Sequence, residues 1–152
     1  AVDPWFVIDS APEEAKLINT ARLVNESKPD FVIEKINQAV DILNKKRSEI
    51  KICCLGLSFK PNIDDLRESP ALFIAQKVSM MGFKKQYLVE PNIDKLPESL
   101  NTKKANLVDL ETAINNSDIV VLLVDHSLFK ELDLGLLLGK QLIDTRGSWN
   151  FL

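Results

Sequence analysis

A lysine, two aspartates and an arginine lie close together within residues 56–68: Lys60, Asp64, Asp65 and Arg67. A guanidinium binds phosphate or carboxylate oxygens through two parallel hydrogen bonds, and an ammonium acts as a point charge. These residue types therefore favour a phosphorylated ligand. The alternative is that the four side chains pair with one another on a solvated loop.

The segment connects two elements that the sequence indicates clearly. Residues Lys51–Leu55 form a short apolar run, which is typical of a strand buried on both faces of a parallel sheet. Ser69 is a predicted N-cap, and Pro70 takes the first helical position, where its missing N–H costs nothing. This helix is predicted to end at residues 81–82. Such connections usually take about two to six residues, so the greater length of this one indicates a function.

Strand and helix patterns alternate in the rest of the chain. Strands are predicted at residues 87–89, 118–125 and 141–144, a helix at about 110–115, and a short strand or a loop at 106–108. This alternation predicts an α/β fold with a Rossmann-like parallel sheet and right-handed crossovers, whose ligands bind at the carboxyl ends of the strands. Five charged side chains follow predicted strand ends: Lys60, Arg67, Glu90, Asp125 and Arg146.

Two helices are predicted before the sheet. Ser10 and Glu13 are predicted to form a capping box, and the first helix is predicted to run to about Glu26, before Ser-Lys-Pro at residues 27–29 breaks it. The second helix spans about residues 30–47 and has one apolar face. By themselves these patterns predict a helical hairpin packed on the sheet. Residues 92–104 are predicted to form a mobile surface loop.

Composition excludes several classes of partner. A chain of 152 residues with 45% hydrophobic and 27% charged residues can bury one good-sized core. A net charge of −3 argues against general affinity for nucleic acid, which requires a basic surface. The first residues, Ala-Val-Asp-Pro-Trp, do not have the pattern expected of a signal peptide, and no apolar run approaches the length of a membrane-spanning helix. We therefore expect a cytoplasmic protein with no nucleic-acid or membrane partner.

The cysteines and the single histidine are predicted to be structural. Cys53 and Cys54 are adjacent in a buried strand, so their side chains point to opposite faces of the sheet. Both are expected to be small core residues, because a reactive thiol needs an exposed, electropositive setting. His126 has no histidine neighbour with which to form a metal site, and its predicted role is a capping or surface hydrogen bond. No bound metal is expected.

Residues 60–71, Lys-Pro-Asn-Ile-Asp-Asp-Leu-Arg-Glu-Ser-Pro-Ala, resemble the C-terminal nucleotide-sugar-binding domain of the UDP-glucose/GDP-mannose dehydrogenase family. The similarity covers nearly the whole chain, from Val-Asp-Pro-Trp-Phe at residues 2–6 through Val-Asp-His at 124–126 to Ile-Asp-Thr-Arg-Gly at 143–147. Within the family, the sequence is most similar to the branch that oxidises UDP-N-acetyl-D-mannosamine.

The resemblance implies a reaction and a cofactor. Members of the family use NAD⁺ to oxidise the C6 alcohol of a nucleotide sugar to a carboxylate, by way of a thioester on a catalytic cysteine, and the uronates enter surface polysaccharides. The resemblance places that cysteine just before Asp3, in a Gly-x-Cys segment that this sequence does not contain. The dinucleotide motif Gly-x-Gly-x-x-Gly does not occur either. We therefore expect a C-terminal fragment that is inactive alone and whose partner is its own missing N-terminal domain.

The resemblance also assigns roles to individual residues. Asp3 matches the active-site aspartate, which is catalytic in the family. Phe59 and Lys60 match a pair that contacts the nucleotide sugar. Arg67 matches an arginine that reaches NAD⁺, and Arg146 matches a late arginine that contacts the substrate. The alternative for Arg146 is a strand-end side chain paired with the aspartate at position 144.

Two regions follow from the resemblance. Residues 1–48 match part of a central helical region that links two α/β domains and builds a homodimer interface. Residues 49–152 match the UDP-sugar-binding domain. Apart from the resemblance, the same residues are compatible with a stand-alone nucleotide-sugar-binding or regulatory module that catalyses nothing.

Overall fold

A five-stranded parallel sheet forms the centre of the molecule. The computed structural model describes residues 3–100 and 103–149. The strands are β1 (Lys51–Leu55), β2 (Lys85–Val89), β3 (Ala105–Leu107), β4 (Ile119–Leu122) and β5 (Gln141–Asp144). They lie in the order β3-β2-β1-β4-β5, and every pairing is parallel. The order reverses between β1 and β4, which is where ligands of such sheets bind. The predicted Rossmann-like α/β class is confirmed.

Helices cover both faces of this sheet. The described residues form α1 (Asp3–Ser10), α2 (Lys16–Leu43), α3 (Pro70–Met80), α4 (Leu110–Asn116) and α5 (Ser127–Lys130). Helices α2 and α3 contribute to one hydrophobic core, and α4 and α5 contribute to the other. Successive residues of β1 alternate between the two cores, as expected for a strand buried on both faces. No helix within these described ranges is long and apolar enough to cross a membrane.

Cys53 and Cys54 show this alternation directly. Cys53 belongs to the core beside α4, and Cys54 belongs to the core beside α2 and α3. Both thiols are fully buried, and their burial raises the pKa of each to about 12. A thiol in this setting stays protonated and unreactive. The prediction that both are small core residues is confirmed.

The amino-terminal helices begin and end differently from the sequence prediction. Helix α1 already begins at Asp3, and Ser10 is its last residue. The Ser10 hydroxyl donates to the carbonyl of Phe6 at 2.8 Å, so Ser10 does not cap a new helix. Helical hydrogen bonds continue from Ala11 to Val7 and from Ala15 to Ala11. The predicted capping box was wrong because no free helix start exists at Ser10.

The predicted break at Pro29 was also wrong. Helix α2 runs from Lys16 to Leu43 with Pro29 inside it. An interior proline removes one helical hydrogen bond and crowds the preceding turn, at a cost of about 3 kcal/mol. Pro29 is buried, and the apolar side chains of Val32 and Ile36 pack in the core shared with α3. Burial of this face offsets the cost and joins the two predicted helices into one.

The elements on both sides of the charged segment agree with prediction. The Ser69 hydroxyl accepts a hydrogen bond from the Leu72 N–H at 3.2 Å, and α3 begins at Pro70.

Strand β4 is shorter than predicted, because the N–H groups of Leu123 and Val124 both donate to the carbonyl of Leu55. The chain after β4 therefore turns across the end of β1. Gly56 permits this approach, since a Cβ atom there would lie 2.4 Å from Cβ of Val124.

The structure also describes most of the two segments after β2 at residues 92–104 and 106–108. The short strand or loop at residues 106–108 is a strand, β3. In the predicted mobile loop at 92–104, residues 101 and 102 lie outside the described residues. The part before them is packed on α3: Leu100 is fully buried, and Gln76 Nε2 donates to Ser99 Oγ at 2.8 Å.

Candidate functional site

A cleft of about 900 Å³ lies at the carboxyl edge of the sheet, between α2, the segment after β1 and the start of α3. We call it the α2–α3 cleft. Its walls combine cationic side chains with half-exposed aromatic rings: Arg22, Lys28, Arg146, Phe59 and Phe73. Two of the predicted substrate-binding residues, Phe59 and Arg146, are thus brought to one cavity from distant parts of the chain.

Arg146 also borders a second cavity. A groove of about 720 Å³ lies between α2, α3 and β5, and its lining shares Lys28, Pro29, Pro70 and Arg146 with the α2–α3 cleft. The two cavities therefore adjoin at these four residues, and Arg146 lines both of them.

An aspartate on the neighbouring strand end orients Arg146. The Nε of Arg146 donates to Asp125 Oδ1 at 2.9 Å, while Asp125 Oδ2 pairs with Lys130 Nζ at 2.8 Å. The hydrogen bond from Lys130, followed by that from Arg146, holds the pKa of Asp125 below its usual value although partial burial opposes this shift. The alternative prediction was that the Arg146 side chain pairs with Asp144. Asp144 instead contacts the backbone of Arg146, since its Oδ1 accepts from the Arg146 N–H at 2.8 Å.

Phe59 and Lys60 project from the segment after β1. The Phe59 ring is 38% exposed and lines the α2–α3 cleft. Lys60 Nζ lies 5.8 Å from the centre of that ring. Among the ion pairs between described residues, none includes Lys60. The ammonium group of Lys60 therefore keeps its donors for water or a ligand.

Arg67 behaves differently, because it forms the local pair that the sequence allowed. Its Nε and Nη2 donate to the two carboxylate oxygens of Asp65 at 2.9 and 2.8 Å. The hydrogen bonds from Arg67 lower the pKa of Asp65 to about 2. The Arg67 side chain is 88% exposed. Neither Arg67 nor Lys60 lines the α2–α3 cleft or the adjoining groove, so the structure does not bring these two cations into one cavity.

Asp3 stands at the first turn of α1 and is exposed. It is not part of the lining of the α2–α3 cleft. Helix α1 contacts α2, and Trp5 lies under the guanidinium of Arg22 at 5.4 Å. The buried Nε of Arg22 has no hydrogen-bond partner among the described residues. The sequence analysis gave Arg22 no role, and its position in the cleft wall was not predicted.

A buried polar network lies beneath the segment after β1, and the sequence did not predict it. His126 and Glu90 are fully buried, with His126 Nε2 at 3.0 Å from Glu90 Oε2. The N–H groups of Leu57 and Ser58 donate to the same oxygen at 2.7 and 3.0 Å. The predicted surface hydrogen bond of His126 was wrong, because the turn after β4 directs the ring inward. The sequence feature that could have indicated this buried network is the position of Glu90 directly after β2.

The charge of Glu90 is stabilised inside the protein. Burial alone would raise the pKa of this carboxyl, but the hydrogen bonds from His126 and the Leu57 N–H outweigh it, and the net pKa is lowered. Backbone N–H groups that follow the first strand of a dinucleotide-binding fold normally bind phosphate. Here a carboxylate of the protein already occupies them. The residues of this loop therefore do not fit the diphosphate of NAD⁺, the cofactor that the resemblance implies.

The strand order and the cleft at the carboxyl edge of the sheet define a Rossmann-like α/β domain with a candidate ligand site. Residues 53–150 match the model of the UDP-glucose/GDP-mannose dehydrogenase family, UDP binding domain. The chain belongs to this family, as its sequence predicted. Among described residues, no group of three or more acidic, histidine or cysteine side chains could hold a metal ion.

Two curated relatives illustrate the match. The chain is 48% identical over 150 residues to the NDP-N-acetyl-D-galactosaminuronic acid dehydrogenase of Ralstonia nicotianae, covering 99% of this chain and 34% of the relative. It is 46% identical over 153 residues to the UDP-N-acetyl-D-mannosamine dehydrogenase of Escherichia coli, covering 98% of this chain and 36% of the relative. The chain therefore spans about a third of the length of these relatives.

Solved structures agree with this assignment. The UDP-N-acetyl-D-mannosamine dehydrogenase of Pyrococcus horikoshii superimposes with a TM-score of 0.78 at 27% identity. That superposition covers 97% of this chain and 34% of the other. The shared fold thus includes the amino-terminal helices as well as the sheet.

Proposed function

We propose that this chain is the C-terminal, nucleotide-sugar-binding part of an NAD-dependent UDP-N-acetyl-D-mannosamine 6-dehydrogenase. The observation that carries this proposal is the α2–α3 cleft, where Phe59 and Arg146 meet in a chain that matches the UDP-binding family over residues 53–150. The cysteine nucleophile and the main NAD⁺ pocket belong to an N-terminal domain. Oxidation at C6 of the sugar then takes place between the two domains, and the uronate is used for surface polysaccharide.

Arg146 and Phe59 bind the nucleotide sugar in this proposal. Asp125 occupies Nε of Arg146, and the terminal guanidinium nitrogens have no hydrogen-bond partner among the described residues. They can bind phosphate oxygens in the two-pronged geometry that a guanidinium favours. The exposed Phe59 ring offers a stacking surface for a base or sugar. Lys28 and Arg22 also line this cleft, together with the carboxylates of Glu68 and Glu26, and Glu26 pairs with Arg22 at 3.7 Å.

Lys60, Arg67 and Asp3 keep the roles that the resemblance assigns to them. Lys60 does not line the α2–α3 cleft, but its ammonium lies 5.8 Å from the Phe59 ring in the cleft wall and is unpaired among the described ion pairs, and from there it counters the negative charge of the diphosphate. Arg67 contacts NAD⁺ held by the other domain, and its 88% exposed side chain is accessible to such a partner. Asp3 acts in catalysis beside the nucleophile. These roles require the complete protein, so the chain by itself is inactive.

Residues 1–48 serve as the link between domains and as a homodimer interface in this proposal, and residues 49–152 form the UDP-sugar-binding domain. Helices α1 and α2 expose several large apolar side chains: Phe6, Val7, Leu17, Leu23 and Val24. Large apolar side chains left exposed on two adjoining helices are typical of an interaction site. We propose a cytoplasmic homodimer in which this surface is covered.

A second candidate differs only in the sugar. The Ralstonia nicotianae relative is named for N-acetyl-D-galactosaminuronic acid, and its 48% identity is similar to that of the mannosamine enzymes. The substrate is then the nucleotide-activated N-acetylgalactosamine, with the same oxidation at C6. A stand-alone binding module without catalysis is the remaining alternative.

Formation of NADH by the full-length protein distinguishes these candidates. UDP-N-acetylmannosamine, UDP-N-acetylgalactosamine and UDP-glucose are supplied in parallel, and the highest kcat/KM is expected with the first. Preference for the second sugar supports the galactosamine candidate. UDP binding without NADH formation from any of the sugars supports the non-catalytic module and contradicts the dehydrogenase proposal.

A further inference from the structure

The backbone from Leu57 to Asn62 is attached to the sheet at both ends. At its start, the N–H groups of Leu57 and Ser58 donate to Glu90 Oε2. At its end, the Asn62 N–H donates to His126 Nδ1 at 2.9 Å. Phe59 and Lys60 lie between these attachments, and both are exposed. We call this stretch the 57–62 segment.

A single imidazole ring connects the two ends. Because Nδ1 of His126 accepts from Asn62, the ring proton is on Nε2. Nε2 lies 3.0 Å from Glu90 Oε2 and 3.3 Å from Ser58 Oγ. The Ser58 hydroxyl in turn donates to the carbonyl of Lys60 at 2.7 Å. The peptide that carries Lys60 is therefore held through Ser58 and His126.

Asn62 shows that the 57–62 segment is held in an unfavourable backbone conformation. Its φ of 61° lies in the left-handed region, which costs free energy for a residue other than glycine. The bond from its N–H to His126 and two side-chain bonds to Ser127, both at 3.0 Å, compensate for this cost. Such conformations persist where surrounding contacts enforce them, most often at ligand sites.

Glu90 supplies an anion at the place where a phosphate would bind in related folds. Its second oxygen accepts from the N–H and the side-chain amide of Asn92, both at 3.2 Å. Both oxygens of the buried carboxylate thus have partners, as a buried charge requires. The loop amides are ordered by the protein itself before any ligand arrives, which lowers the entropy cost of binding.

We propose that Glu90 and His126 are positioning residues for the nucleotide-sugar site, which hold the 57–62 segment in the shape that presents Phe59 and Lys60 to the ligand. The proposal rests on the proposed function, since it concerns how that site is built. Neither side chain touches the ligand, because both are fully buried. Their contribution appears as affinity, not as a chemical step.

Two substitutions of His126 separate its two hydrogen bonds. In His126→Asn, the side-chain oxygen can still accept from Asn62, but the donor to Glu90 is lost. In His126→Gln, the side-chain amide can still donate to Glu90, but the acceptor for Asn62 is lost. We expect each change to raise the Kd of the full-length protein for UDP and the KM for its nucleotide sugar by about tenfold, which corresponds to the loss of one ordering hydrogen bond. We expect kcat to stay within about twofold.

Asp118→Asn is the matched structural control. Asp118 accepts from the Lys51 N–H at 2.8 Å and pairs with Lys45 at 3.2 Å, at the opposite edge of the sheet. We expect this variant to lower Tm without changing Kd or KM. If the His126 variants change Tm in the same way and leave both Kd and KM unchanged, their role is structural only and the proposal is wrong.

A double-mutant cycle tests whether His126 acts through Lys60. In a Lys60→Ala background, His126→Asn is expected to raise the Kd for UDP by less than about threefold, because the group that it positions is gone. Full additivity of the two changes contradicts the proposal. Hydrogen exchange provides an independent measurement: the amides of Leu57, Ser58 and Asn62 exchange faster in each His126 variant, and unchanged exchange contradicts the proposal.

The same measurements distinguish failure of the proposed function from failure of the positioning role. If the unmodified full-length protein binds neither UDP nor a UDP-sugar, the proposed function is wrong, and the positioning role falls with it. If the unmodified protein binds UDP and both His126 variants bind it equally well, only the positioning role is wrong.

Discussion

The Nε2 atom of His126 lies 3.0 Å from Oε2 of Glu90, and neither side chain is exposed to solvent. The two residues follow different strands, and they meet where the strand order reverses between β1 and β4. The carboxylate binds the loop amides that a phosphate would occupy in a dinucleotide-binding domain. In the proposed function the nucleotide sugar binds instead in the α2–α3 cleft, which Phe59 and Arg146 line.

Asp125→Asn is expected to weaken nucleotide-sugar binding through Arg146. Loss of the charge that holds Nε of Arg146 leaves the guanidinium freer, so we expect the Kd for UDP to rise about threefold to tenfold. Arg146→Ala should raise it at least as much. Lys130→Ala is the control, because Lys130 pairs with the other oxygen of Asp125. Calorimetric titration of UDP into each variant checks this order, and an effect of Lys130→Ala equal to that of Arg146→Ala contradicts it.

Lys60→Ala is expected to impair binding of the nucleotide sugar in the full-length enzyme. One charge-assisted contact is worth about 1.5 to 3 kcal/mol, so KM should rise by about tenfold or more. Lys95→Ala removes an exposed lysine from another loop and controls for the change in net charge. Steady-state kinetics at constant ionic strength measure both variants. Unchanged KM and kcat in Lys60→Ala would exclude the proposed contact.

Gly56→Ala and Gly82→Ala form a matched pair that tests the close approach of β1 to the turn after β4. Both glycines have positive φ, 87° and 82°. A Cβ atom at Gly56 lies 2.4 Å from Cβ of Val124, whereas nothing lies within 4 Å of one at Gly82. We expect Gly82→Ala to cost about 1 kcal/mol of backbone strain and Gly56→Ala about 3 kcal/mol or more. Urea unfolding measures the difference, and equal costs are inconsistent with the clash.

Glu90 is expected to make stability dependent on pH in the acid range. Its pKa in the folded protein is below the ordinary value of 4.5. The carboxylate therefore contributes stability above about pH 4.5, and this contribution is lost as the pH falls through the folded-state pKa. In Glu90→Gln the free energy of unfolding should be lower than in the unmodified protein at pH 7, and the gap should narrow on acidification. A gap that does not change with pH contradicts this expectation.

Cys53 and Cys54 are expected to resist alkylation in the folded protein. Burial raises the pKa of both thiols to about 12, so almost no thiolate exists at pH 8, and no reagent reaches them. A short pulse of iodoacetamide followed by peptide mass spectrometry should leave both cysteines unmodified. The same pulse in denaturant should modify both. Rapid modification of Cys53 under native conditions would contradict the buried position of β1.

Local patterns in the sequence were sufficient for most of the sheet domain. The apolar run of β1 and the cap-and-proline start of α3 at Ser69 both depend on neighbouring residues, and the structure agrees with both. The family was readable for the same reason, because residues 60–71 are contiguous. The residues of the candidate site were partly predictable. Their strand-end positions placed Lys60 and Arg146 at one edge of the sheet, and the resemblance added Phe59, but neither showed which cations share a cavity.

What the sequence by itself determined is therefore the set of strands, the α/β class and the family. Tertiary structure decided the rest. Pro29 stays inside one long α2 because burial of an apolar face outweighs the local cost of the proline. The bonds of His126 to Glu90 and of Arg146 to Asp125 join residues far apart in the chain, and only the strand order brings them together. Contacts of this kind leave no local pattern, because each partner satisfies the other across the sheet and not along the chain.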